Sequence, residues 1–168
     1  MLFRSASVLS LTNDMNLIGR IVVETGAPIL HIGSQPEEIA PSDVTALKRR
    51  FPEIRIMRSI PVIDRACIAL AKSYDGIADF LLLDSYRPSD KQFGALGVTH
   101  SWDLDREIIE SVRIPVIIAG GLGPENVAEA IRATRPAGVD SKTRTDKDDA
   151  SHTKDIAKVR AFLCAAAA

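Results

Sequence analysis

Four places in the sequence put a polar residue or a glycine directly after a run of apolar ones. They are His31 after Ile29-Leu30, Asp84 after Phe80-Leu81-Leu82-Leu83, Gly120-Gly121 after Val116-Ile117-Ile118-Ala119, and Asp140-Ser141 after Ala137-Gly138-Val139. If the runs are strands of a parallel sheet, these residues fall at its carboxyl edge, where α/β folds hold their ligands. Asp84 has the sharpest chemistry. A carboxylate at the rim of a low-dielectric core is desolvated, binds its proton more tightly and becomes fit for general-acid work. The alternative is a loop cap through an Asx turn. Gly120-Gly121, followed by Gly123-Pro124-Glu125-Asn126-Val127, offers backbone N–H groups at a helix start as a cradle for phosphate. A plain tight turn accounts for the glycine pair equally well. Asp140-Ser141-Lys142-Thr143 adds hydroxyls and a cation suited to an anion, or is a solvated loop of mixed charge. Arg58 projects from a strand, where it can bind a substrate carboxylate or pair with a barrel acid.

The elements that must position these residues are readable from periodicity. Val8–Leu11, Ile29–Ile32, Ile54–Ile60, Phe80–Leu83, Val116–Ala119 and Ala137–Val139 read as strands. Between them lie amphipathic stretches. Met15–Thr25 is capped by Asn13 or Asp14 and stopped by Gly26. Pro41–Phe51, Asp64–Tyr74, Leu104–Val112 and Pro124–Ala133 follow, and His152–Ala168 forms a terminal helix. Most strands are apolar on both faces and separated by helices, which means a parallel sheet with helical crossovers. Six βα units can be counted, about two short of a closed (β/α)8 barrel. The one long connection, Ser85 to Asp103, contains Pro88, Gly94 and Gly97, and loops of that length are usually functional.

Composition narrows the class. The chain has 168 residues, 21 basic against 22 acidic side chains and a formal net charge of −1. Near-neutral balance argues against a nucleic-acid or anionic-membrane partner, and the apolar runs are far too short to span a bilayer. Two cysteines without a CxxC pair fit a reducing cytoplasm. Cys67 and Cys164 both read as core filler. His31, His100 and His152 show no ligand spacing, so neither a metal nor another cofactor is expected. The whole of 1–168 reads as a single partial barrel domain.

Several of these residues fit one family. Asp79-Phe80-Leu81-Leu82-Leu83-Asp84, the segment Gly94 to Trp102, Pro115 to Val127 and Pro136 to Asp140 occur in that order. Together they resemble the C-terminal part of phosphoribosylanthranilate isomerase, well from about Ala78 to Asp140 and more faintly over Val8 to Ile60. The resemblance implies a (β/α)8 barrel performing, without cofactor, an Amadori rearrangement in tryptophan biosynthesis. A general acid protonates the ring oxygen of a phosphorylated aminoaldose, and a general base removes the C2′ proton to give the aminoketose. Asp84 matches the acid, Gly120 and Gly121 match the backbone that holds phosphate, and Asp140 matches the acidic residue ending the last strand. His31, Arg58 and Ser141 complete the expected substrate and phosphate contacts.

The chain also departs from the family. The family's cysteine base and substrate-binding arginine precede the segment equivalent to Val8–Leu11. After Asp84 the family pattern is Gly-Gly-Thr-Gly-Lys-Thr-Phe-Asp-Trp; here Gly94, Gly97, Thr99 and Trp102 remain, but Leu96, Val98 and Ser101 replace Thr, Lys and Asp. Ser141-Lys142-Thr143 stands where Ser-Ser-Gly is common. The expectation is therefore an isomerase-like chain with little activity alone, because nothing supplies the base. The alternatives are a noncatalytic phosphosugar-binding or interaction domain, or a related lyase or epimerase. Six strands cannot close such a barrel, so the open edges would favour self-association.

Overall fold

The computed structural model describes residues 6–87, 92, 93, 99–149 and 151–168. Of the long connection after Asp84, Pro88, Gly94, Leu96, Gly97 and Val98 lie outside the described residues.

The chain alternates strand and helix: β1 (Ser7–Ser10), α1 (Met15–Thr25), β2 (Ile29–Ile32), α2 (Pro41–Arg50), β3 (Arg55–Pro61), α3 (Ala66–Ser73) and β4 (Phe80–Asp84). A small antiparallel hairpin, β5 (Tyr86–Arg87) with β6 (Gln92–Phe93), comes next. Then follow α4 (Trp102–Ser111), β7 (Val116–Ile118), α5 (Val127–Thr134), β8 (Gly138–Val139) and α6 (Ile156–Ala166). The main sheet is parallel, in the order β1-β2-β3-β4-β7-β8. Its strands lie side by side in the order in which the chain visits them, with no reversal. A doubly wound sheet reverses its strand order at a switch point, so this is the progression of a TIM-type barrel that has not closed.

Local chemistry explains the boundaries. Asp14 Oδ1 accepts the Asn16 and Leu17 N–H groups at 2.9 and 3.2 Å, and Gly26 ends α1 at φ +58°, as a left-handed C-terminal residue should. The terminal helix starts later than the expected His152. Asp155 is its cap, accepting from Ala157 and Lys158, and the preceding stretch is tied down by a 3-10 turn at Thr143–Thr145 and an Asp146–Lys154 bridge.

Strand alternation sorts side chains onto two faces. Leu30, Ile32, Ile56, Ile60, Leu81, Leu83 and Ile118 are fully buried and pack in the main core with α1, α2, α3 and α5. The opposite face carries Leu9 beside its register partner His31, and Ser59 beside its register partner Leu82, and it lines a cleft. Leu9 and Leu11 on that side are 53% and 67% exposed, because no further strand lies beyond β1 among the described residues. Among those residues no helix is long and apolar enough to cross a membrane.

Candidate active site

At the carboxyl edge, β4 ends in Asp84, β7 runs into Ala119-Gly120-Gly121, and β8 runs into Asp140-Ser141. These residues line one small pocket, joined by Lys142, Thr143 and Arg144. Gly120 and Gly121 have φ of +75° and +62°, a conformation that side chains with a Cβ adopt only at a cost. Asn126 pins the turn: its Oδ1 accepts the Gly123 N–H at 2.8 Å and its Nδ2 donates to the Gly121 carbonyl at 3.1 Å. The Ser141 hydroxyl donates to the Leu122 carbonyl at 2.6 Å. That proton is committed to the fold, so Ser141 shapes the cup more than it offers a hydroxyl donor to an anion.

Beside the cup opens a cleft of about 320 Å³. Leu9, Leu11 and Leu82 form its apolar wall, His31 and Ser59 its polar one, and Asp84 and Asp140 stand where cleft and cup meet. The Ser85 N–H donates to Asp84 Oδ1 at 2.7 Å. Burial pushes the Asp84 carboxyl up to about 6; the Ser85 hydrogen bond opposes the rise, the charge of Asp140 adds to it, and His100 opposes it. Burial raises Asp140 as well, with Lys154 pulling the other way. Each of these carboxyls therefore holds its proton more tightly than it would in water. His31 Nε2 lies 2.7 Å from Ser59 Oγ. Burial first, then the charge of Arg58, draws His31 down to about 4, so its ring is neutral at pH 7.

The structure therefore brings Asp84, Gly120, Gly121, Asp140, Ser141 and His31 to one rim, and leaves Arg58 out. Arg58 shares the helix-facing side of β3 with Ile56 and Ile60 and is fully buried. Its Nη1 donates to the Ile32 and Ser34 carbonyls at 2.9 Å each, and its guanidinium lies 5.4 Å from the Tyr74 ring centre. Neither expected role fits: it does not line the cleft, and its bonds go to carbonyls rather than to an acid. Replacing it tests this. Arg58→Ala should cost about 3 kcal/mol in denaturant unfolding, through a cavity and orphaned carbonyls, while leaving the affinity for inorganic phosphate within about twofold.

Cys67 is buried on α3 and Cys164 exposed on α6, and neither lines the cleft. Among the described residues no group of three or more His, Cys, Asp or Glu could hold a metal ion. Sequence reasoning missed Asn126 as the pin of the glycine turn, Lys154 in the cleft wall, and a buried pair between His100 and Asp105. An Asn five residues after Gly121 is a usable signal, since Asx side chains commonly close such turns.

A family model for N-(5′-phosphoribosyl)anthranilate (PRA) isomerase matches residues 37–165. The chain belongs to the PRA isomerase family. The PRA isomerase of Methanocella arvoryzae is 41% identical over 131 residues, covering 78% of this chain and 57% of that relative. The chain thus spans little more than half the length of that PRA isomerase. The solved phosphoribosylanthranilate isomerase of Thermococcus kodakaraensis matches with a TM-score of 0.72 and 27% identity, over 95% of this chain and 72% of that one. Another solved PRA isomerase, in complex with reduced 1-(o-carboxyphenylamino)-1-deoxyribulose 5-phosphate, shares the fold at a TM-score of 0.69 and 19% identity, over 97% of this chain and 71% of its own.

Proposed function

We propose that this chain carries the proton-donating and phosphate-holding parts of the isomerisation of N-(5′-phosphoribosyl)anthranilate. Asp84 gives its proton to the ribose ring oxygen as the C1′–O bond breaks and the anthranilate nitrogen's lone pair forms the iminium. A base then takes the C2′ proton, and the resulting enolamine tautomerises to the aminoketose. The Gly120–Gly121 turn and the loop after Asp140 hold the 5′-phosphate. The leucine wall of the cleft suits the anthranilate ring, whose apolar area is stabilised by burial. The observation that carries the reading is a desolvated, raised carboxyl at Asp84 sharing its pocket with a left-handed glycine turn. The solved neighbour of the same fold in complex with reduced 1-(o-carboxyphenylamino)-1-deoxyribulose 5-phosphate is consistent with a phosphorylated sugar derivative as the ligand class.

A second reading, a phosphosugar-binding module without turnover, is favoured by one observation: the cup is built from the backbone of the left-handed Gly120–Gly121 turn, which holds an anion without any proton transfer from Asp84. Following the fluorescence of the anthranilate adduct with the purified chain, and titrating ribose 5-phosphate alongside, separates the two. Turnover supports the isomerase reading. Saturable binding of ribose 5-phosphate with no turnover, unaffected by Asp84→Asn, supports the binding module. Absence of both binding and turnover overturns both.

A further inference from the structure

His100 and Asp105 form a titratable pair that the proposed chemistry leaves unused. The His100 side chain is 6% exposed and that of Asp105 is wholly buried. Nε2 of the ring lies 2.8 and 2.9 Å from the two carboxylate oxygens, so the carboxylate requires a proton on that nitrogen. Nδ1 is buried with no hydrogen-bond partner among the described residues. It lies against the backbone of the cup: a Cβ on Gly120 would come within 2.7 Å of His100 Nδ1 and 3.1 Å of the Ser85 amide nitrogen. That same Ser85 N–H donates to Asp84. The imidazole, the Gly120 turn and the amide holding Asp84 therefore meet at one point.

A buried polar pair of this kind is no better for stability than an apolar pair of the same shape, and an unpaired ring nitrogen costs more still. We propose that the Asp105–His100 pair is a positioning device for Asp84, bracing the Ser85 and Gly120 backbones and setting how readily Asp84 gives up its proton. The proposal rests on Asp84 as proton donor and adds the group that tunes it. His100 acts through Asp84 and does not line the cleft. Other charges face the two partners. Asp140 at the end of β8 works on Asp84 in the opposite sense to His100, and His31, Lys142 and Lys154 share its cleft. On the far side, the thiol of Cys67 on α3 is pushed up to about 11 by burial first and then by Asp64, Asp105 and Glu107.

The test is a carbon-detected NMR titration of the Asp84 carboxyl in the wild-type chain, His100→Gln and Asp105→Asn. His100→Gln keeps a donor for Asp105 while removing the ring; Asp105→Asn removes the ring's counter-charge. His100→Gln should move the Asp84 midpoint upward by about half to one pH unit, and Asp105→Asn, which unlocks the ring, should move it as well. A purely structural pair would lower Tm in both variants with the Asp84 midpoint unmoved, and that result overturns the proposal. If one variant does not fold, the other decides: an unmoved Asp84 midpoint in it overturns the proposal. Since no turnover is needed, loss of the isomerase reading would leave this measurement intact, and an unmoved midpoint would leave Asp84 free to be the donor.

Discussion

Gly120→Ala is expected to abolish phosphate binding and to lower stability by about 2–4 kcal/mol. Two effects combine. The backbone sits at φ +75°, where an L side chain costs about 1 kcal/mol. The added Cβ would also meet His100 Nδ1 at 2.7 Å and the Ser85 amide nitrogen at 3.1 Å. The ring is locked on Asp105 and the amide holds Asp84, so neither retreats without moving the acid or the cup. Gly26 supplies the control. It has φ +58° and nothing within 4 Å of the place a Cβ would take, so Gly26→Ala should show the conformational cost alone, about 1 kcal/mol. Denaturant unfolding of both variants, with isothermal titration of inorganic phosphate, gives the comparison. If Gly120→Ala proves no worse than Gly26→Ala and binds phosphate normally, the cup does not depend on close backbone approach at residue 120.

Most of the sheet is legible in the sequence because a buried parallel strand leaves a simple mark. Phe80-Leu81-Leu82-Leu83 and Val116-Ile117-Ile118 are apolar on both faces and end in polar or glycine residues, so strand and rim are read together. Arg58 misleads for a reason that alternation itself contains. It lies two residues from both Ile56 and Ile60, which are fully buried on the helix side, while Ser59 points the other way into the cleft. A charged residue type suggests the site, but its parity along the strand puts it in the core. The start of α6 escapes sequence reasoning because the bonds that hold 141–155 in place, such as Lys154 Nζ to the Lys142 carbonyl at 2.6 Å, are tertiary and leave no period. The His100–Asp105 pair is hidden for a similar reason. It joins a loop residue to the first turn of α4 at a separation of five, which is not a helical spacing, and burial alone makes the two meet.

Asp84→Asn should remove catalysis and stabilise the fold, and the second effect should depend on pH. An amide keeps the shape and the bond from Ser85 but has no acidic proton, so the rate sustained by the wild-type chain should fall by about 10²–10⁴-fold. Affinity for ribose 5-phosphate should change little, since the cup is built by backbone at Gly120 and Gly121. For stability the sign is fixed by which state binds the proton more tightly. Burial raises the folded carboxyl from 3.8 to about 6. Below pH 3.8 the group is protonated in both states and costs nothing. Between 3.8 and 6 the folded state holds a proton the unfolded state has released, so stability falls as pH rises through that window. Above it the buried carboxylate costs on the order of 2–3 kcal/mol, which the asparagine does not. The unfolding free energies of Asp84→Asn and wild type should therefore nearly coincide at about pH 4 and separate by that amount at about pH 8, with the variant the more stable. A difference that stays flat from about pH 4 to about pH 8 would mean that Asp84 is not desolvated. The chemistry would then lose its acid, because a carboxyl with an ordinary proton affinity has almost no proton to give at neutral pH, and the same burial that makes Asp84 costly to the fold is what makes it useful at the rim.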